Sequence, residues 1–497
     1  MLRRLLLLTA AAAVLLVVIG AAAAYWFFDR DGFRTALEAQ ATSWLGHPVR
    51  IGGARAQFLP RLAIQLSDVR VGEPVQLALD DVEIASDLRP LFSGRIENAD
   101  VRVSGSRIEM PLPFGLPGET ADGGEASEAS EPAVRIVSIR SISLRSVRLR
   151  SRGREIVVSA DSSFDGKALT LQRFSAESGS TTLSADGVIA LSPRVDARLK
   201  ASANRLDVDE LIALAAAFSP ASAGSRRSSS GPGARIVASI TAGQATAAGV
   251  QATNFATDLT RDGDSVTLKP LKMELFGGRY EGAITARLGQ QLSARLESKI
   301  ADLDVAQLAA FGGAEDTITG RLSGAGTFTG SGADFAQLLR DARGSGTASI
   351  VNGTIRRLHL VRTVILFFGR PAPNAGAGTD AFERLDVGFT LANRVLRADP
   401  FAFHSDDADM AGTGTLNLST DALDGRVNVT LSEALSAQGG TDLIRYTREG
   451  NRVVLPAAIG GTLEMPRLTI DVGAAAKRGL KNEAGRRLKG LLDSFGR

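Results

Sequence analysis

The sequence contains no cysteine and only three histidines among its 497 residues. The lack of cysteine excludes disulfide bonds, thiolate metal sites and cysteine nucleophiles. With so few histidines, little remains for catalysis or for a transition metal, so we expect a protein that is not an enzyme and holds no metal or cofactor. Aromatic residues are also scarce at 5%, whereas glycine occurs 53 times, a balance that indicates many short strands and turns.

Positive charge is not in clear excess, since 57 Lys and Arg face 54 Asp and Glu and leave a net charge of +3. Nucleic-acid binding needs a concentrated basic surface, so we expect no nucleic-acid partner. Motifs of catalysis are missing as well: the chain has no Gly-x-Ser-x-Gly, no His-Glu-x-x-His and no Walker loop. A hydrolase that uses a pair of carboxylates therefore has no motif in its favour.

One long hydrophobic run is present, at residues 5–28, and it carries no formal charge. As a helix it would be about 36 Å long, enough to cross a bilayer once. Arg3 and Arg4 before it favour a cytoplasmic N-terminus, and the aromatic residues at 25–28 suit the opposite interface. We expect residues 1–30 to form an uncleaved membrane anchor. The alternative is a cleaved signal peptide, for which the alanines at 21–24 offer a cleavage site.

The rest of the chain is divided by segments of linker composition. Period-two alternation of apolar and polar residues dominates between the linkers and predicts half-buried strands. The predicted linkers are 118–133, 219–233 and 369–379. The regions between them are 31–117, 134–218 and 234–473, followed by a helical tail at 474–497. Helical patterns occur at 32–45, 208–218, 305–311 and 335–341, with Asp207 or Asp209 and Asp304 as predicted N-caps.

A short pattern recurs at 64–71, 96–103 and 142–149: an isoleucine, an apolar residue five positions later, an arginine and another apolar residue. In an unbroken strand the fifth residue would face the opposite side. Asp68, Asp100 and Ser146 are therefore predicted to mark a turn or a one-residue bulge, a device that curves a sheet. The fold class predicted is mainly β: an elongated, curved antiparallel sheet of repeated strands that forms an apolar groove, with few short helices. A compact sandwich is the alternative.

The apolar face of such a sheet must be covered by helices, a second sheet or bound lipid. The repeat's apolar residues are our candidates for lipid contact, and the alternative is a dry core packed under helices. These candidates are Ile64, Leu66, Val69, Val71, Ile96, Val101, Val103, Ile142, Leu144, Val147 and Leu149.

Two further segments suggest contact with a membrane. The arginines between 135 and 154 suit phosphate headgroups or, as the alternative, a solvated polar face. The tail forms an apolar helical stripe that suits a membrane interface or a partner, or a cap over the end of the sheet. The stripe contains Leu480, Leu488, Leu491, Leu492 and Phe495.

Several segments, taken in order, resemble the AsmA family of bacterial envelope proteins. The N-terminal part is similar at Phe33, Arg34, Leu37 and Glu38, then at Leu-Gly-His-Pro-Val-Arg-Ile and Phe-Leu-Pro-Arg-Leu. The C-terminal part is similar at Leu-Phe-Gly-Gly-Arg-Tyr-Glu-Gly. The segments are 45–51, 58–62, 66–72, 86–96, 275–282, 320–330, 344–358 and 456–471.

The resemblance implies an inner-membrane-anchored, single-pass periplasmic protein of Gram-negative bacteria, related to bridge-like lipid-transfer proteins of the chorein type. The implied role is phospholipid transport or homeostasis between the inner and outer membranes. Phospholipid and the inner membrane are the expected partners, with an outer-membrane contact and an envelope protein as further candidates. The alternative function is an envelope scaffold or outer-membrane assembly factor that binds protein partners.

Overall fold

The protein is described here by a computed structural model. The predicted membrane segment, the predicted linkers and the apolar stripe of the tail lie outside the described residues. Within the described part, no helix is long and apolar enough to cross a membrane. The described residues are 34–35, 38–39, 41–42, 47–57, 61–87, 95–110, 135–136, 138–191, 194–218, 234–289, 291–355, 381–437, 447–462, 465–471, 473–474, 477 and 479.

The chain divides into two compact units. The first contains residues 1–249 and 260–263, and the second contains 250–259 and 264–497. The strands of the first unit are β1 (Val49–Gln57), β2 (Leu62–Val71), β3 (Leu77–Ser86), β4 (Arg95–Ile96), β5 (Ala99–Ser104), β6 (Arg107–Met110), β7 (Arg135–Ile136), β8 (Ile139–Ser151), β9 (Arg154–Phe164), β10 (Ala168–Ser178), β11 (Thr181–Ala190), β12 (Asp196–Asp207) and β13 (Arg235–Ala247).

The second unit begins in β14 (Val250–Asp262) and is also mainly β, as predicted. Its remaining strands are β15 (Ser265–Leu275), β16 (Gly278–Leu288), β17 (Leu292–Asp304), β18 (Arg321–Gly332), β19 (Arg343–Thr354), β20 (Ala381–Ala392), β21 (Val395–His404), β22 (Ala408–Asn417), β23 (Ala422–Leu431), β24 (Arg448–Glu449), β25 (Arg452–Gly461) and β26 (Pro466–Ile470).

The helices are short. Those at 208–218 and 305–311 have their predicted bounds, and the one at 335–341 ends one residue earlier. Asp304 accepts hydrogen bonds from the backbone amides of Ala306 and Gln307, and Asp207 accepts one from Glu210, so the Asp207 and Asp304 caps are confirmed. The helices are α1 (Val208–Phe218), α2 (Val305–Phe311), α3 (Phe335–Arg340) and α4 (Glu433–Ala437).

Most neighbouring strands are antiparallel, but the prediction of an all-antiparallel sheet is wrong. In the first unit β8 runs parallel to β5 and β6, and β13 runs parallel to β12. The short pair β4 and β7 is parallel too. After β12 the chain passes through α1 and residues 219–233 before it enters β13. A parallel pair needs such a crossover connection, because the chain must return to the end at which the previous strand began.

Left-handed residues or register shifts interrupt the repeated strands at each of the three predicted positions. Asp68 has φ 49° and Ser146 has φ 51°. At Ser146 the register between β8 and β9 shifts, as a bulge requires. At Asp68 the register with β1 is unbroken. The alternation of buried and exposed residues is nevertheless interrupted there, because Ser67 and Asp68 are both exposed before buried Val69. At the third position the register between β5 and β8 shifts between Ala99 and Asp100, and the left-handed residue is Asn98, with φ 54°.

Each unit has a buried apolar cluster. In the second unit, Phe403, Met410, Val429 and Leu455 lie directly opposite one another on consecutive neighbouring strands and are at most 2% exposed. The cluster of the first unit is smaller. It consists of Val49, Ile51, Val69 and Val71, with Ala41 packed against it.

Side chains of helical residues cover the first residues of β1 on its outer side. β1 pairs with β2 on one side. On the other side, Glu38 accepts a hydrogen bond from the backbone amide of Ile51 at 2.7 Å, and Thr42 accepts one from Val49 at 3.0 Å. Arg34 donates to the carbonyl of Ile51 at 3.2 Å. Exposed sheet edges favour pairing with other chains, and these bonds occupy the groups that such pairing uses.

Candidate functional site

A continuous line of apolar residues crosses the first unit, and we call it the first row. Each member lies directly opposite the next on the neighbouring strand. Val82 and Ala160 are buried, and the other members are half-buried. The row is formed by Ala54, Leu66, Val82, Val103, Leu144, Ala160, Phe174, Ala185, Ala201 and Ile240.

An equivalent line, the second row, crosses the second unit from β15 to β23. Its members are again directly opposed, and every one of them is half-buried. Half-buried apolar side chains in the middle of strands offer a continuous apolar surface. The row is formed by Leu268, Ile284, Leu296, Phe328, Gly344, Leu391, Leu396, Leu416 and Leu423.

The structure brings most of the predicted lipid-contact residues to one face of the first unit. Leu66, Val103 and Leu144 belong to the first row. A neighbouring line of opposed residues lies beside them and consists of Ile64, Ile84, Val101 and Ile142. Leu149 is half-buried opposite Ile156, and Ile96 lies in β4.

The buried members of the predicted set are Val69, Val71 and Val147. They are 7%, 2% and 3% exposed. Val69 and Val71 belong to the apolar cluster beside the helical residue Ala41, so at this end of the sheet the protein itself covers the apolar face. No observation tests lipid contact at any of these positions, which stay predictions.

The glycine of the second row is explained by an aromatic ring. A Cβ atom at Gly344 would lie 2.3 Å from Cδ1 of Phe328, and one at Gly346 would lie 2.7 Å from Cζ of Phe389. The two rings are stacked, with centroids 6.2 Å apart. Each ring thus lies over a glycine and fills the space that a side chain would take, which keeps the apolar face continuous across β18 to β20.

The opposite face of the first unit is polar, and its arginines are largely paired. Arg145 lies 2.8 Å from Asp161, and Arg150 lies 2.8 Å from Glu155. Arg154 forms an ion pair with Glu210 of α1. These carboxylates come from other strands and from a helix. Their proximity favours a paired polar face over headgroup binding by this stretch.

Asp100 is the centre of one such charge network. Arg140 donates to it at 3.0 Å and Ser141 at 2.7 Å, and Arg61 donates to the same carboxylate. Burial by itself would raise the pKa of Asp100. The hydrogen bonds from Ser141, Arg61 and Arg140 together outweigh burial and hold this pKa below its usual range.

We expect the Asp100 network to make stability depend on pH. A carboxyl with a lowered folded pKa stabilises the fold above its unfolded pKa of about 3.9, and this contribution is lost as pH falls toward the folded value. The free energy of unfolding, measured by urea denaturation from about pH 5 to pH 2, should therefore fall more steeply for the wild type than for Asp100→Asn. Equal slopes would contradict the role of the network.

The described residues offer little for metal binding. Among them, no group of three or more His, Asp or Glu is placed to hold a metal ion. His404 lies 3.0 Å from Asp409, which also contacts Arg452 at 2.7 Å, so this carboxylate serves an ion-pair network. The expectations of no metal, no cofactor and no catalysis stay predictions.

Comparison with known families finds a match at residues 221–401, to the model described as AsmA family. This part of the chain is similar to the AsmA family. The AsmA match includes β15 to β20 and the second row from Leu268 to Leu396, and it confirms the resemblance over this range. The N-terminal part of the resemblance and the segment 456–471 lie outside the match and stay predictions. Similarity to the AsmA family over this range suggests an envelope-associated function.

No curated protein and no solved structure matches the chain. A proposed function therefore rests on the AsmA match and on the geometry of the two rows.

Proposed function

We propose that the chain is a non-catalytic lipid-handling protein of the bacterial envelope, in which phospholipid acyl chains lie along the first and second rows. The observation that carries the proposal is the second row. Nine directly opposed positions are half-buried, and all are apolar apart from the glycine that lies under Phe328. The proposal extends to transport or homeostasis of phospholipid between the inner and outer membranes.

The dimensions of the rows suit an acyl chain. Neighbouring strands are about 4.8 Å apart. One leaflet of a hydrocarbon core about 30 Å thick is about 15 Å deep, so an extended chain covers about three strands. Each methylene removed from water contributes about 0.8 kcal/mol. Contact with a row therefore offsets much of the cost of taking a lipid out of a bilayer, while the headgroup remains in water.

The cellular location is also a proposal. The uncharged run at 5–28, with Arg3 and Arg4 before it, supports an inner-membrane anchor with a cytoplasmic N-terminus. The AsmA match supports an envelope setting for the remainder. We propose that the strands lie in the periplasm and that an envelope protein or the outer membrane receives the lipid.

A photo-crosslinking experiment tests lipid contact in the intact chain within living cells. A photoreactive phenylalanine analogue replaces Leu391 or Phe174, both in the rows, and the controls carry it at Thr390 or Thr170. Each control residue is exposed and lies on the same strand as the row residue it is compared with, but on the opposite face of the sheet. We expect phospholipid adducts, identified by mass spectrometry, at the row positions and not at the controls.

Other adducts would overturn the proposal. Protein adducts at Leu391 and Phe174, without lipid, would mean that the rows bind a partner and would support the envelope scaffold. Equal lipid adducts at Thr390 and Leu391 would mean that lipid contact does not depend on the apolar face.

A further inference from the structure

Exposed apolar side chains also lie at the end of the strands where β18 leads into α3. α3 packs on two glycines of β18: a Cβ atom at Gly330 would lie 2.5 Å from the carbonyl oxygen of Leu338, and one at Gly332 would lie 2.7 Å from its amide nitrogen. Leu338 is half-buried by this contact. Phe335 and Leu339, one helical turn apart, are 67% and 57% exposed.

Leu288 extends this exposed surface across the neighbouring strands. It ends β16 and is 48% exposed. It lies opposite Leu292, which lies opposite Gly332, the residue on which α3 packs. Leu288, Phe335 and Leu339 therefore lie at one end of β16 to β18, and we call them the edge patch. Large exposed apolar residues that cluster in this way mark an interaction surface.

Arginines and hydroxyl groups lie on the polar face at the same strand ends. Arg295 lies opposite Thr329, which lies opposite Arg343. Arg287 lies one residue before Leu288. These residues line a cavity of about 830 Å³.

The arginines of this cavity differ in their pairing. Arg295 lies 3.1 Å from Glu297. Neither Arg287 nor Arg343 has an ion-pair partner in the described part of the chain. Guanidinium groups without a carboxylate partner keep their donors available for phosphate oxygens.

Acidic residues are also present at this end and limit its net charge. Asp334 caps α3 by accepting a hydrogen bond from the amide of Gln337 at 2.7 Å. Asp341 follows α3, and Asp264 accepts, through its backbone carbonyl, a hydrogen bond from Leu288. The three aspartates equal the three arginines in number, so the arginines act here as individual phosphate ligands rather than through a positive field.

We propose that this end of the second unit contacts the surface of an anionic phospholipid bilayer. Phe335, Leu339 and Leu288 enter the boundary between headgroups and acyl chains, where aromatic and leucine side chains are favoured. Arg287 and Arg343 bind lipid phosphates above them, since long basic side chains reach toward the headgroups. The inference does not require lipid transport along the rows: none of these residues belongs to either row, although Leu288 and the glycines under α3 share the face of the second row.

The absence of cysteine makes a direct test possible. Leu339→Cys in the full chain provides a single thiol for an environment-sensitive fluorophore. Glu315→Cys provides the matched control, since Glu315 is exposed and lies at the opposite end of β18. Both proteins are held in nanodiscs of phosphatidylcholine and mixed with vesicles of phosphatidylcholine that contain or lack phosphatidylglycerol. We expect a rise and blue shift of emission at Leu339→Cys with anionic vesicles only, and no change at Glu315→Cys.

Two double variants separate the contributions to binding. Arg287→Gln with Arg343→Gln should weaken vesicle binding by about 25-fold, since one basic residue near an anionic surface contributes about a factor of five. Phe335→Ser with Leu339→Ser should abolish the binding, while the melting temperature stays near that of the wild type. The proposal is overturned if the fluorophores at positions 339 and 315 respond alike, or if vesicles without phosphatidylglycerol bind equally well. It is also overturned if both double variants bind vesicles like the wild type.

Discussion

Replacing Leu391 with glutamate should reduce lipid adducts in the second row by at least tenfold without unfolding the chain. The adducts are measured with the photoreactive residue at Leu416, two positions along the row. A carboxylate at Leu391 either loses its hydration or keeps water on the path of the acyl chain, and burial of an unpaired charge costs several kcal/mol. A change of about 1.4 kcal/mol in binding free energy changes the binding constant tenfold, so a tenfold loss of lipid adducts is a lower bound.

Thr390→Glu is the matched control for this variant. Thr390 is exposed on the opposite face and lies opposite Arg397, so the added carboxylate has a basic neighbour. Lipid adducts at Leu416 should be unchanged. Equal loss of adducts in the two variants would contradict a specific role of the row. Unfolding of Leu391→Glu alone would show that the second row is a dry core.

Phe403→Ala should cost about 3–5 kcal/mol of stability, because a large side chain is removed from a packed core. Phe403 is 2% exposed, and its ring centroid lies 5.3 Å from that of Phe382. The measurement is hydrogen exchange of the amides of β21 and β22, since exchange of core strands reports their opening free energy. Protection should fall by at least a hundredfold.

Phe389→Ala is the comparison that separates the core from the row face. Phe389 is half-buried and stacks on Phe328, so its removal should reduce protection much less than removal of Phe403. A similar cost for the two variants would mean that the apolar face near the second row is packed as tightly as the core. It would count against lipid contact there.

The sequence predicts the local features of this fold well. α1 and α2 begin and end where they are predicted, because Asp207 and Asp304 give a capping signal just before an apolar helical pattern. The bulge at Ser146 follows from the repeat, since the spacing of apolar residues requires a change of face. The gathering of Leu66, Val103 and Leu144 into one row also follows from the repeat.

Long-range features are not predicted in the same way. The parallel pairing of β12 with β13 depends on the path of residues 219–233, and no local pattern encodes it. Ala160, Ala185 and Ala201 complete the first row, but alanine gives little signal of an apolar face. The second row depends on registers between many strands, although the alternation at 266–268 and 413–418 indicates the faces of single strands.

The sealed side of β1 has a consequence for self-association. A strand with free amides and carbonyls serves as a template on which copies of a chain can add one after another into filaments. At Val49 and Ile51 an incoming strand would first have to break the bonds to Thr42 and Glu38. A high concentration of copies would therefore not nucleate fibrous assemblies at these two residues of β1. Glu38 and Thr42 thus act as a stop to polymerisation that is built into the chain itself.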